Sequence, residues 1–314
     1  MTIVFMGTPD FSVRILEAVH VTYGVDLVVT QPDRKVGRKK IVTPPPVKMK
    51  AEELGIPVFQ PRRIKTDFAP IVELKPDLII TAAYGQIVPR EVLDAPRLGA
   101  INVHGSLLPL LRGGAPIQRA IQRRHVTTGV TIMYMAMKMD AGDIITQRSI
   151  TIQPDETSGT LFEKLSVLGR DLLMDTLPNI FDGTNDRIPQ DENLVTYAYN
   201  IKREEERIDW NQSCHEIDAH VRAFTPEPTC YTTIDGKSIK ILKVEKCEYP
   251  RDTTFDQYDN GSIIEIRDDY IGVKVQDGLV KVYQVQLAGK TPQDVRTFLS
   301  GAGRGLIKLY KVFI

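Results

Sequence analysis

The stretch IVFMGTPDFSVRILEAVHVTYGVDLVVT, residues 3–30, holds an apolar run at Ile3–Met6, a helix-like stretch at Val13–Val19 and a second run at Asp26–Thr30. Short runs rich in β-branched residues that alternate with helical stretches mark βα units, whose parallel strands are buried on both faces. The alternation continues through Pro46–Leu54, Asp77–Thr81, Ala100–His104, Pro116–Gln122 and Val130–Tyr134. It predicts an α/β domain built on a Rossmann-like, mostly parallel sheet. Ligands of such sheets bind beyond the carboxyl ends of the strands, so the residues after each run carry the chemistry.

Outward from there, a long helix is expected from Thr160, whose hydroxyl caps it while Glu163 reaches back, to Pro178. Residues 184–206 are polar and mixed in charge, which predicts an exposed connection, with the domain boundary within Arg203–Arg207. A short helix over CHEIDAHVRAF, residues 214–224, precedes alternating runs through residues 231–287, with Asp235-Gly236 and Asp277-Gly278 as hairpin turns. This second pattern predicts a C-terminal antiparallel, OB-like β-barrel. The expected division is therefore 1–203 for the α/β domain with its linker and 204–314 for the barrel.

The 314 residues suffice for two domains. Forty basic and forty acidic side chains cancel, so attraction to a polyanion has to come from local clusters. Three separated cysteines, Cys214, Cys230 and Cys247, argue against a zinc cluster and a disulfide framework, and no metal is expected. The N-terminal residues enter a strand without a basic or apolar leader, and no apolar run is long enough to cross a bilayer. A cytoplasmic protein with no membrane partner is expected. Met6-Gly-Thr-Pro-Asp-Phe11 lacks the G-x-G-x-x-G spacing, which excludes a dinucleotide fingerprint.

Within Ala100-Ile-Asn-Val-His-Gly-Ser-Leu-Leu-Pro109, Asn102 and His104 are two apart on a strand, so both side chains leave one face at its carboxyl end. An amide and an imidazole together can hydrogen-bond an oxygen that gains negative charge as a nucleophile adds to a carbonyl. In Met139-Asp-Ala-Gly-Asp-Ile144, Asp140 and Asp143 bracket a turn after another strand of the same sheet. A carboxylate from either can reach the imidazole and hold its charged form, and spacing does not choose between them. No serine or cysteine is paired with a base, so direct transfer without a covalent enzyme intermediate is expected. A different feature is RKVGRKKIVTPPPVKMK, residues 34–50, with seven basic residues (Arg34, Lys35, Arg38, Lys39, Lys40, Lys48 and Lys50) and no acid. Gly37 and the three prolines oppose a simple helix, so it reads as a basic arm suited to phosphates.

N-x-H-x-S-L-L-P, followed by R-G-x-x-P-I at Arg112–Ile117 and D-x-G-D at Asp140–Asp143, resembles the enzymes that transfer formyl groups from 10-formyltetrahydrofolate. Val4-Phe-Met-Gly-Thr-Pro-Asp-Phe-Ser12, Gln31-Pro-Asp-Arg34, Ala83-Tyr-Gly-Gln-Ile87 and Arg207-Ile-Asp-Trp210 are similar to those members that act on methionyl-tRNA. Ala136 and Glu227 depart from the family pattern, which carries an acid and an aromatic there. The resemblance implies Asn102, His104 and Asp140 as the catalytic trio, and so prefers Asp140 over Asp143. It implies a folate site, mostly backbone, over Tyr84, Gly85, Gln86, Ile87 and Val88 and over Ser106, Leu107, Leu108 and Pro109, and it sets Phe11 against the methionyl side chain. It turns the arm, through Arg34, Lys35, Arg38, Lys39 and Lys40, toward the acceptor end of initiator methionyl-tRNA, with Arg38 as the key arginine. Arg62, Arg63 and Lys65, and on the barrel Lys237, Lys240, Lys243, Lys246 and Lys281, are companion candidates for RNA. A monomer is expected.

Overall fold

Ile3–Gly7 is buried along its whole length, which is how a central strand with cover on both faces looks. The computed structural model describes all residues except 38–39, 248–254 and 256. It divides into two compact units: Met1–Pro116, Thr127–Thr151 and Phe162–Tyr199 form one, and Ile117–Val126, Ile152–Leu161 and Asn200–Ile314 form the other.

In chain order the elements up to residue 182 are β1 (Ile3–Gly7), α1 (Asp10–Tyr23), β2 (Leu27–Val29), β3 (Arg34–Val36), β4 (Ile41–Thr43), α2 (Pro46–Glu53) and β5 (Val58–Phe59). There follow α3 (Ala69–Glu73), β6 (Leu78–Ala82), α4 (Arg90–Leu93), β7 (Ala100–His104), α5 (Pro116–Gln122), β8 (Thr127–Tyr134), β9 (Ile144–Thr151) and α6 (Ser158–Asp182). One seven-stranded sheet has the order β5-β2-β1-β6-β7-β8-β9. The pairs from β5 to β7 are parallel, as expected. β8 is antiparallel to β7, with Ile101 opposite Tyr134 and His104 opposite Thr131, and β9 is antiparallel to β8. The reading of Val130–Tyr134 as one more parallel βα strand is thereby corrected. Apolar periodicity reports burial, which is the same for either strand direction.

α6 begins earlier than expected. The Thr157 hydroxyl accepts from the Thr160 amide at 3.2 Å while the Thr160 hydroxyl accepts from the Thr157 amide at 3.0 Å, and Glu163 instead pairs with Arg14 at 3.3 Å. Nor does Pro178 end it, since the helix runs on to Asp182. A proline costs a helix one hydrogen bond and some steric strain. Pro178 is on the exposed side, while Leu172, Leu173, Leu177 and Ile180 keep the other side buried.

Residues 184–199 are not merely an exposed connection. Ile188 exchanges two backbone hydrogen bonds with Ile144, Thr196 O accepts from Arg112 N at 2.9 Å, and Ala198 bonds both Arg112 and Ala115. This strap is held through its main chain, which leaves no pattern in side-chain polarity.

The second unit contains α7 (Cys214–Ala223), β10 (Cys230–Ile234), β11 (Lys237–Cys247), β12 (Ile263–Ile266), β13 (Ile271–Val275), β14 (Gly278–Leu287), β15 (Gln293–Asp294) and α8 (Val295–Ser300). Ser213 caps α7 in a reciprocal pair with Glu216. The sheet order is β10-β11-β14-β13-β12, all antiparallel, with β15 beside β14. Asp235 and Gly236 both have positive φ, at 49° and 73°, and turn β10 into β11 as expected. The other hairpin differs: Gln276 and Asp277 form the turn and Gly278 already pairs with Val275. Asp277 accepts from the Cys214 amide at 2.7 Å instead. The last residues join the two edges of the sheet. Ile314 exchanges two hydrogen bonds with Thr233 of β10, and Tyr310 and Lys311 bond Ile263 of β12. Phe313 stacks on Trp210, whose Nε1 donates to the Thr232 hydroxyl at 3.0 Å.

His220, on α7, packs on Phe224 with 4.6 Å between ring centroids, and its Nδ1 lies 3.2 Å from Gln122 Nε2. Burial pushes the imidazole down to about 4; Glu205 opposes this and Arg119 adds to it. The unfolded chain takes up this proton near 6.5, so the contribution of neutral His220 to stability is complete above that pH and is lost as the pH falls through 4. The span corresponds to about 3 kcal/mol. His220→Gln is expected to flatten the acid limb of stability between these pH values, read by urea unfolding with Trp210, the single tryptophan, as the fluorophore. A variant with the wild-type slope would show that His220 does not set it.

Candidate active site

Alternation along β7 brings Asn102 and His104 to one face, and the parallel register puts Thr81 of β6 beside Asn102. The Thr81 hydroxyl lies 2.8 Å from Asn102 Oδ1. The same hydroxyl lies 3.0 Å from the Ile101 carbonyl; where its proton goes to the nearer Asn102 amide oxygen, Nδ2 is the group left to donate to a ligand. His104 is buried, and its Nε2 donates to the Leu111 carbonyl at 3.1 Å. The ring nitrogen left for chemistry is therefore Nδ1. It stands 3.8 Å from Asp140 Oδ2, beyond direct hydrogen-bond reach and within ion-pair range. The same carboxylate oxygen accepts from the Gly113 amide at 2.8 Å. Asp143, by contrast, enters the ladder through its carbonyl, which accepts from Tyr134 N.

The carboxylate meets the imidazole by a route other than the expected one. Because β8 is antiparallel, its carboxyl end is level with the start of β7, not with His104. The segment between β8 and β9 has to return along the sheet edge, and two glycines permit the close approaches this requires. A Cβ on Gly142 would stand 1.9 Å from the Tyr134 carbonyl oxygen, and one on Gly113 would stand 2.7 Å from Ala198 O. Three residues here adopt left-handed backbone without being glycine: Ala83 (φ 47°), Leu111 (φ 61°) and Asp140 (φ 50°). Such strain is found where a ligand site holds the chain in place.

The two expected folate loops differ. Around Ser106–Pro109 the polar groups are largely used internally. Ser106 Oγ donates to Leu110 O, Thr131 Oγ1 donates to Ser106 O and accepts from Leu108 N, and Gln147 donates to Leu108 O at 2.8 Å. Leu108 is buried against Met133 and Ile144, and Leu107 is half-buried. In the other loop the Tyr84 and Val88 side chains belong to the core with Ile64, Ile71 and Val92. Burial drives the Tyr84 phenol well above its ordinary range. Gln86 braces the neighbouring segment through Ile64 N at 2.9 Å and Pro61 O at 3.2 Å. Gly85 has φ 89°, Ile87 is 81% exposed, and the main chain of Ile87 and Val88 makes no hydrogen bond among the described residues. Phe11 is buried edge-on to Phe162, with 5.4 Å between centroids, as a core residue would be.

The basic arm is a two-stranded ribbon, β3 with β4, exposed on both sides and including Arg34 and Lys35. Lys40, next before β4, has φ 50°, and Arg34 donates to Gln31 at 3.0 Å. Arg38 and Lys39 lie outside the described residues. Lys48 and Lys50 do not belong to the arm. Pro46 begins α2, where Lys48 pairs with Asp33 at 2.9 Å and Lys50 with Glu53 at 2.8 Å. Arg62, Arg63 and Lys65 are exposed. On the barrel, a bulge after Ile241 brings Lys240 and Lys243 onto one face opposite Gln286 and Gln284. Lys281 lies across from Glu245 and over the Tyr270 ring, Lys246 lies 3.1 Å from His215, and Lys237 is at the β11 turn.

Sequence reasoning missed Thr81, the Leu111 carbonyl and the Gly113 amide, all contacts between segments distant in the chain. It quoted Arg112 only as part of a motif. Arg112 has no exposed surface; its guanidinium meets Gln190 and Glu192. The Lys138 ammonium and then Arg112 hold the Glu192 carboxyl below the usual range.

The sequence and the fold have counterparts among known proteins. The chain matches the family model "Formyl transferase" over residues 1–177 and "Formyl transferase, C-terminal domain" over residues 200–303. It belongs to the formyl transferase family. It is 50% identical over 311 residues to the methionyl-tRNA formyltransferase of Listeria welshimeri, covering 98% of this chain and 97% of that one. To the methionyl-tRNA formyltransferase of Lysinibacillus sphaericus it is 49% identical over 309 residues, 97% of both chains. Its place is therefore in the methionyl-tRNA formyltransferase branch. The fold is shared with an N-formyltransferase from Helicobacter canadensis, solved with folinic acid and dTDP-3-aminofucose, at a TM-score of 0.66 and 19% identity over 89% of this chain and 98% of that one. No helix among the described residues is long and apolar enough to cross a membrane.

Thr81→Val keeps the shape of the side chain and removes the hydroxyl that lies against Asn102 Oδ1. It is expected to lower kcat for formyl transfer about 10-fold or more, short of the 10²–10³-fold typical of losing an oxyanion donor outright. Steady-state kinetics beside a thermal melt checks this; unchanged kcat would mean that Asn102 orients itself.

Proposed function

We propose that the chain transfers the formyl group of 10-formyltetrahydrofolate to the free amino group of initiator methionyl-tRNA, for translation initiation in the cytoplasm. The observation that carries this reading is the corner where Asn102 Nδ2 and His104 Nδ1 are left for a ligand beside the Asp140 carboxylate, which Gly113 N holds through Oδ2. Membership of the formyl transferase family supplies the chemistry to which the corner is suited.

In this reading the unprotonated amine attacks the formyl carbon directly. A C–N bond forms, the carbonyl electrons move to oxygen, and the oxyanion of the tetrahedral intermediate takes hydrogen bonds from Asn102 Nδ2 and from His104 Nδ1–H. Asp140 holds the imidazolium and receives the amine proton, directly or through water. Collapse then breaks the bond to the folate N10, which leaves with that proton. The Gly85–Val88 main chain, exposed and unpaired at Ile87, is the better of the two folate loops for pairing with pterin edges, and Ser106–Pro109 supplies apolar wall. Arg34, Lys35, Arg38, Lys39 and Lys40 meet the acceptor end of the RNA, and the barrel lysines add phosphate contacts. Residues 1–203 serve as the catalytic domain and 204–314 as the OB-like domain of a monomer.

The assay supplies 10-formyltetrahydrofolate with charged initiator RNA or with an amino sugar. Wild type is expected to formylate the RNA, Asn102→Ala and Asp140→Asn to lose about 10²-fold or more in kcat with folding intact, and Arg38→Ala to raise KM for the RNA. If the RNA stays inert while an amino sugar or water takes the formyl group, the acceptor assignment is wrong.

A further inference from the structure

We propose that Gln190, in the strap of residues 184–199 of the first unit, is a positioning residue for the Asp140 carboxylate, and that the buried Arg112 guanidinium decides which way Gln190 points. The inference rests on the reading of Asp140 as a participant in the reaction.

Gln190 Nε2 donates to Asp140 O at 2.9 Å and to Gly142 O at 2.8 Å. Its Oε1 accepts from Arg112 Nε at 3.0 Å and from Nη2 at 2.8 Å. A guanidinium can only donate and a carbonyl can only accept, so a single orientation of the amide satisfies all four contacts. Arg112 is wholly buried and its Nη1 has no partner among the described residues, so Gln190 and Glu192 carry its charge. A buried charge with few partners holds those it has firmly.

The two carbonyls flank Ala141, inside the turn that presents the carboxylate. Asp140 is in left-handed backbone at φ 50°, a conformation uphill for a residue with a Cβ. Two hydrogen bonds onto this turn keep it there. From the other side, Gly113 N, next in the chain after Arg112, holds Asp140 Oδ2 at 2.8 Å. Arg112-Gly113 thus grips the Asp140 turn twice, directly through an amide and indirectly through Gln190. Glutamate at 190 would keep the pair with Arg112 while turning an acceptor onto two carbonyls; methionine would keep the volume and lose all four contacts.

The full-length chain is compared as wild type, Gln190→Glu, Gln190→Met and Leu194→Ala, the last an exposed strap residue as control. Both Gln190 variants are expected to lower kcat about 10-fold to 100-fold, since ångström-scale displacement of a reacting group costs this much, with KM for folate and RNA nearly unchanged. Selective ¹⁵N-histidine spectra, assigned with His104→Gln, give a readout independent of turnover. The His104 ring signals are expected to move in both Gln190 variants, while those of the remaining four histidines stay. Leu194→Ala is expected to leave both readouts as in wild type. Unmoved His104 signals in Gln190→Met, a loss carried by KM alone, or a loss that follows the thermal melt would each overturn the proposal. Absence of formyl transfer in wild type would remove the functional reading instead, with the His104 spectra still reporting on the clamp.

Discussion

The imidazole of His104 has two nitrogens, and each answers to a different oxygen. Nε2 is committed to the Leu111 carbonyl at 3.1 Å, which leaves Nδ1 toward the Asp140 carboxylate at 3.8 Å. Much of the first unit serves this division. Leu111 holds its carbonyl in place by accepting left-handed backbone, and Thr196 Oγ1 fixes the Leu111 amide at 2.9 Å. A ring gripped at one nitrogen is held against rotation, so its other nitrogen keeps a constant direction. The 3.8 Å gap to Asp140 lets an incoming oxygen share Nδ1, which a tight hydrogen bond would not.

The same economy governs the neighbouring groups. The Thr81 hydroxyl lies against the Asn102 oxygen, with the Ile101 carbonyl as its second acceptor, and Gly113 uses its amide on Asp140. The imidazole and the carboxylate are thus each oriented by a main-chain group with a fixed donor or acceptor role. The strap of residues 184–199 completes the arrangement from outside the sheet through Ile188, Thr196 and Ala198. The barrel solves a different problem. Its edge strands β10 and β12 both find partners in the last residues of the chain, through Thr233 and Ile263, which covers part of each edge.

How much of this could be read beforehand depended on the kind of information. Strand β7 and helix α5 fall where the apolar pattern puts them, because burial on one or two faces leaves a direct trace in residue type. Asn102 and His104 were visible because polar residues at alternate positions of a buried strand are costly without a use. The Asp140 turn was visible as a motif, yet the argument for its reach failed on strand direction. Lys48 and Lys50 read as part of the arm because a charge count cannot see Pro46 starting a helix with Asp33 and Glu53 at hand.

By itself, the sequence determined the α/β order of the first half, the antiparallel second half, the residues able to stabilise an oxyanion and the cluster of basic residues near residue 34. All of these are properties of residue type and local spacing. Only the tertiary structure decided that β8 turns antiparallel, by which route Asp140, preferred over Asp143 from the resemblance alone, approaches His104, and which nitrogen of that ring is left for a ligand. It alone revealed Arg112 and Gln190 behind the Asp140 turn. These are contacts between segments tens of residues apart, made by main-chain groups and single side chains. Backbone donors and acceptors are common to nearly every residue, so their pairing leaves no mark on the order of the amino acids.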